Sequence, residues 1–158
     1  MSNRPIIIGF GPAGMFAALE LLEQGYSPVI FERGKRLEER SADITTFIQT
    51  RELNTESNIQ FGEGGAGSYS DGKLFSRKNN SPVANKVLET FVRFGAPDDI
   101  LHKHKPHLGT DVLREIVKNI REYILSKGGE IHFSAKMTGL IISHGQAEGV
   151  VINADKDY

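Results

Sequence analysis

Cysteine is absent from the 158 residues. That absence excludes disulfide frameworks, thiolate zinc sites, iron–sulfur ligation and a redox-active dithiol pair. Any reversible two-electron chemistry must therefore be carried by a bound cofactor. Excess charge is lacking too. Nineteen basic and twenty acidic residues leave a formal net charge of −1, so nothing draws the chain to nucleic acid or to an anionic membrane. The chain also has no apolar run long enough for a bilayer. The longest candidate, Pro5 to Leu19, falls short of the ~20 residues required and is broken by Gly9, Gly11, Pro12 and Gly14. Glu20 and Glu23 follow it where a signal peptide would carry its cleavage site, which points to a cytoplasmic protein.

Glycine, by contrast, is plentiful and clustered. Three of the seventeen (Gly9, Gly11, Gly14) lie near the N-terminus, and five (Gly62, Gly64, Gly65, Gly67, Gly72) lie in one short stretch. Such clusters mark places where the backbone turns sharply or a ligand comes close.

The first cluster has a defined context. Pro5-Ile6-Ile7-Ile8 suits a buried parallel strand. Met15, Phe16, Ala18, Leu19 and Leu22 recur at helical spacing from Ala13 to Gln24, and Gly25 ends the helix. Pro28-Val29-Ile30-Phe31 is a second buried strand, with Glu32 at its carboxyl end. This is a βαβ unit of about thirty residues. Gly9-Phe10-Gly11-Pro12-Ala13-Gly14 matches G-x-G-x-x-G between the first strand and the helix. In that setting Gly9 permits the tight turn, Gly11 admits a pyrophosphate, and Gly14 lets helix and strand pack closely. Glu32 stands where an acid hydrogen-bonds a ribose hydroxyl and repels a 2′-phosphate, which favours FAD or NAD over NADP.

Further along, Lys35 to about Ile48 reads as a helix with Leu37, Ile44 and Phe47 inward, and Asn54 to Lys73 as loop. Ser81-Pro82 opens a helix that stops before Gly95. Thr110 is expected to cap another, ending at Gly128-Gly129. Glu130 to Phe133 is a third short strand. Met137 to Ile142 and Ala147 to Ile152 form an antiparallel pair, and the strand expected next is missing, leaving one edge open. The expected fold class is α/β: a Rossmann-like βαβ parallel sheet with a terminal antiparallel β-meander at about 137–152, of FAD/NAD(P)-binding type, over one domain, 1–158, that is itself incomplete.

In the second cluster, Phe61 to Leu74, successive small residues can turn several N–H groups toward one anion, with Lys73 as a cation for a diphosphate or a flavin. Gly67 to Lys73 also fits the start of a P-loop, but Leu74 stands where Ser or Thr must hold magnesium. His102, His104 and His107 are interleaved with Lys103 and Lys105, which would repel a metal cation, so no metal site is expected.

Arg4 to Gly14 with Phe31-Glu32-Arg33-Gly34 resembles the glutathione-reductase-like FAD-binding superfamily. Ser57 to Gly67, Ser70-Asp71-Gly72-Lys73-Leu74 and Lys105 to Asp111 are similar to signature blocks of a group of bacterial FAD-dependent dehydrogenases. The resemblance runs from Arg4 to about Ile152. It implies FAD, with the ribose on Glu32 and the pyrophosphate over Gly11, Pro12, Ala13 and Gly14. It places Arg33 and Arg40 near the phosphates and runs Gly64, Gly65, Ala66 and Gly67 toward the flavin. It sets the backbone of Met137 against adenine. It also implies that the chain is the front portion of a longer enzyme and inactive alone, while the open edge and the small number of parallel strands lead to the expectation that it holds FAD weakly or not at all.

The expected activity is FAD-dependent two-electron transfer with a small organic substrate, and NAD(P) is a candidate co-substrate. The alternatives are an NAD-binding dehydrogenase or epimerase, and a non-catalytic dinucleotide-binding module. No side-chain pair stands out as nucleophile and base, so no catalytic residue is named, and nothing in the sequence assigns the substrate or the oligomeric state.

Overall fold

The computed structural model describes residues 4–74, 81–103, 105–154 and 156–158. Its elements run β1 (Ile6–Ile8), α1 (Pro12–Glu23), β2 (Val29–Phe31), α2 (Leu37–Thr50), α3 (Pro82–Arg93), α4 (Thr110–Ser126) and β3 (Glu130–His132). The chain then continues through β4 (Met137–Ser143), β5 (Gln146–Ile152) and β6 (Lys156–Asp157). Single 3-10 turns at Gly65–Tyr69 and Asp98–Leu101 interrupt the connecting segments. Among the described residues no helix is long and apolar enough to cross a membrane.

Three short parallel strands form the first sheet in the order β1-β2-β3, with Ile7 opposite Ile30 and Ile30 opposite Ile131. The central strand is buried because both faces are covered. One face is packed by α1 and α4, through Met15, Ala18, Leu19, Ile116, Ile120 and Ile124 around Ile30. On the other, Phe31 and Val29 meet Ala135, just before β4, and Val150 and Ile152 of β5. A continuous apolar run is what such a two-sided environment selects.

Helix ends follow their local chemistry. Pro12 sits in the first turn of α1, where its missing N–H is no loss. The Ser81 hydroxyl accepts the Ala84 N–H at 3.2 Å and caps α3. Gly25 and Gly128, at φ +84° and +83°, turn the chain after α1 and α4. Thr110 departs from the sequence expectation. It is the first helical residue of α4 rather than its cap, a place taken by Gly109, and its hydroxyl donates instead to the Ser70 carbonyl at 3.4 Å.

The second sheet is an antiparallel meander, β4-β5-β6. His144 and Gly145, at φ +50° and +77°, make the tight β4–β5 turn in the left-handed conformation that a two-residue hairpin loop needs. The strand expected to be missing after β5 is present. Lys156 and Asp157 pair with Ile152 and Val151, and Tyr158 exchanges two backbone hydrogen bonds of 2.9 Å with Val150. The Tyr158 ring then packs 4.7 Å from that of Phe31. A two-residue strand carries too little periodicity to be seen in sequence; backbone pairing with β5 and the contact of Tyr158 with Phe31 hold it.

Candidate functional site: a glycine-walled cleft at the carboxyl ends of the parallel strands

Glu32 leaves the end of β2 with its side chain buried, 5% exposed. Its Oε2 accepts the Phe10 N–H at 2.7 Å, and its Oε1 accepts those of Gly34 at 2.9 Å and Gly62 at 3.0 Å. Backbone donors aimed at a carboxylate make strong, charge-assisted bonds. One acid thus ties together the first glycine motif, the turn after β2 and the second glycine loop. The sequence expectation gave Glu32 a ribose partner alone; the structure adds a scaffold role.

The two glycine segments abut. The Gly64 N–H donates to the Phe10 carbonyl at 2.9 Å. A Cβ placed on Gly11 would lie 3.8 Å from the Cα of Gly65. Gly14 fits closely: a Cβ there would sit 2.0 Å from the Gly9 carbonyl oxygen, so α1 can lie against β1 only without one.

Arg40, which the resemblance sets near the phosphates, is fully buried and donates into the second glycine loop. Its Nε donates to the Asn58 carbonyl (2.6 Å), its Nη1 to those of Glu63 (2.7 Å) and Gly65 (2.9 Å), and its Nη2 to that of Ile59 (2.7 Å). The Tyr69 ring covers the guanidinium at 4.7 Å. A planar fork of donors suits this collection of carbonyls better than a point charge would.

Glu63 has no solvent exposure. Its Oε2 accepts the Leu37 N–H at 2.9 Å and Arg121 Nη1 at 2.7 Å, which locks the loop to α2 and α4. Its Oε1 has no partner among the described residues. Burial pushes its pKa above the ordinary carboxylate value, against the bond from Leu37 and the charge of Arg121. Sequence reasoning passed over Glu63, Arg121 and Glu56. A carboxylate set directly between two glycines, Gly62 and Gly64, was the visible signal for the first of them.

A cleft of about 380 Å³ opens over these contacts. Ile8, Phe31, Ala135 and Met137 give it apolar surface; Gly9, Gly11, Gly62 and Gly65 give backbone; Glu32, Arg33 and Lys136 give charge. The first turn of α1, from Pro12 through Ala13 to Gly14, starts beside it, and such a turn leaves N–H groups without intrahelical partners. The Arg33 guanidinium lies 4.1 Å over the Phe61 ring. Among the described residues the lining contains no nucleophile paired with a base.

Gly67 and Lys73 lie apart from this cleft. They border a smaller hollow of about 160 Å³ with Pro12, Met15, Phe16 and Leu113. Lys73 pairs with Asp71 at 2.6 Å, and Ala66 is exposed. His104 of the histidine run lies outside the described residues; among those described, no cluster of His, Asp and Glu could hold a metal.

The parallel sheet, the glycine turn into α1 and the meander define a Rossmann-like α/β fold. The comparisons agree on the fold. Glycine oxidase from Bacillus cereus ATCC 14579 superposes with a TM-score of 0.58 at 14% identity, over 99% of this chain and 54% of that one. THI4 from Thermovibrio ammonificans gives 0.54 at 18% identity, over 96% and 47%. L-amino acid deaminase from Proteus vulgaris gives 0.53 at 15% identity, over 96% and 44%. No protein-family model matches. An uncharacterised protein of Clostridium beijerinckii is 45% identical over 150 residues, which are 95% of this chain and only 28% of that protein.

Proposed function

We propose that the cleft receives the adenosine and pyrophosphate of FAD, and that residues 1–158 are the FAD-binding portion of a flavin-dependent oxidoreductase with a small organic substrate. The observation that carries this reading is the meeting of both glycine segments at one cleft that also contains Glu32 and Met137. The site fits the group. Its volume of about 380 Å³ lies within the ~300–1,000 Å³ common for small-ligand sites. The apolar side chains of Phe31, Ala135 and Met137 suit a purine, and the bare backbone at Gly11 leaves room for phosphate oxygens beside the start of α1.

When bound, the flavin supplies the two-electron chemistry. The chain's own residues hold and orient it: Glu32 near the ribose, Gly11 to Gly14 under the pyrophosphate, and the Met137 backbone toward adenine. A short-chain NAD enzyme has no use for a second glycine loop braced on the first, which favours FAD over the NAD reading. The solved structures of similar fold bear the names of an oxidase and a deaminase, which is consistent with redox work on small molecules. The length of the Clostridium relative supports substrate-contacting groups lying elsewhere in a longer enzyme.

The test is the absorption spectrum of the full-length protein. Flavin bands, or their appearance on adding FAD, are expected. A colourless protein that takes up no FAD and binds NAD tightly would overturn the reading.

A further inference from the structure

Glu56 does not line the cleft, yet it holds two residues that do. Its Oε2 accepts from Arg33 Nε at 2.9 Å and Nη2 at 2.6 Å, and its Oε1 accepts from Lys136 Nζ at 2.9 Å. Arg33 comes just after β2 and Lys136 just before β4, so one carboxylate closes the rim between the two sheets. The position of Glu56 is itself set locally. The Asn54 side-chain oxygen accepts the N–H groups of Glu56 at 3.0 Å and Ser57 at 3.1 Å, a turn that presents residue 56 to the rim. Hydrogen bonds from Lys136 and then Arg33 hold its pKa below the ordinary carboxylate value, so it stays ionised at neutral pH.

The charge balance of the rim follows. Arg33 and Lys136 are cations, Glu56 and Glu32 are anions, and their charges cancel. An arginine or lysine beside a ribose site is the usual receptor for a 2′-phosphate. Here the Nε–Nη2 edge of Arg33, the pair of donors that would grip a phosphate in a fork, is taken by Glu56.

We propose that Glu56 sets the nucleotide preference of the cleft: by occupying Arg33 and Lys136 together, it makes the site accept adenosine diphosphates with a free 2′-hydroxyl and refuse those bearing a 2′-phosphate. Glu56 is a positioning residue, acting through the two cations. The inference rests on the reading of the cleft as an adenine-dinucleotide site, and its test separates the two.

The experiment measures binding of ADP-ribose and 2′-phospho-ADP-ribose to the wild-type protein, Glu56→Gln and Lys136→Gln by calorimetry at low ionic strength. The wild type should favour ADP-ribose. Glu56→Gln should reduce that preference by about five-fold, the effect of one unit charge some 4 Å away in water, and Lys136→Gln should increase it. A purely structural role predicts that both variants, which break the same bridge, shift the ratio in the same direction. Equal ratios in all three proteins, or shifts of the same sign, would overturn the role of Glu56 while leaving the nucleotide site standing. A wild type that binds neither compound overturns both readings. Because the Lys136 variant predicts a shift of its own, the inference stays exposed to failure even where Glu56→Gln does not fold.

Discussion

Glu32 and Phe10 are joined by a 2.7 Å hydrogen bond from the backbone N–H of the first glycine turn to the carboxylate at the end of β2. With Gly34 and Gly62 also donating, Glu32 holds the walls of the cleft in place before any ligand arrives.

The corresponding prediction concerns stability without nucleotide. Glu32→Gln turns an amide donor toward one of the three N–H groups, and should destabilise the free protein by roughly 1.5–3 kcal/mol, the worth of a hydrogen bond to a charged group. Urea unfolding without ligand measures it. Unchanged stability would mean that Glu32 serves a ribose alone.

Two glycines should separate folding from binding. Gly14→Ala sets a Cβ 2.0 Å from the Gly9 carbonyl, so strand and helix must part, at a cost of about 1–3 kcal/mol or more. Gly11→Ala meets no atom nearer than 3.8 Å and should leave the melting temperature nearly unchanged. Its methyl group would stand where phosphate oxygens approach, so affinity for ADP-ribose should fall by on the order of tenfold, about one lost charge-assisted bond. Thermal melts paired with calorimetry test both. A Gly11→Ala protein of full affinity would remove the first motif from the phosphate site.

The Glu63–Arg121 pair predicts a pH signature. Arg121→Met leaves Glu63 buried without its cation, and deprives Glu38 of a partner that holds its pKa low, chiefly through their hydrogen bond. A carboxylate whose folded pKa is raised binds its proton more tightly folded than unfolded. Its contribution to stability is therefore greatest below the ordinary carboxylate range and is lost as pH rises through the folded value. Glu38, with the opposite shift, contributes above that range, and this contribution also disappears in the variant. The variant should lose about 3–5 kcal/mol at pH 8 and distinctly less at pH 5. Denaturant titrations at both values check it, and equal losses would contradict the coupling.

The βαβ unit was legible because its signals are local. Ile6 to Ile8 and Val29 to Phe31 are continuous apolar runs, and Gly9, Gly11 and Gly14 fall at the spacing that a strand-to-helix turn requires. The β4–β5 hairpin announced itself through alternation and a glycine-bearing turn. Less visible were β6, which is only two residues long, and the cap of α4, where Gly109 takes the place expected of Thr110. Of the residues expected at the cofactor, Gly9, Gly11, Glu32, Arg33, Gly65 and Met137 line one cleft, whereas Pro12, Gly64, Gly67 and Lys73 border the smaller hollow and Arg40 lies behind the loop.

The sequence by itself determined the order of the helices and of strands β1 to β5, the two places where the backbone must be bare, and the acid at the end of β2, because each depends on residues only a few positions apart. Only the tertiary structure decided what the charges do. Glu32 finds Gly62 thirty residues on, Arg121 finds Glu63 across fifty-eight, and Lys136 finds Glu56 across eighty. Such partners are chosen by where folding brings the chain, and a buried charge has to be satisfied by whatever donors or carbonyls arrive there.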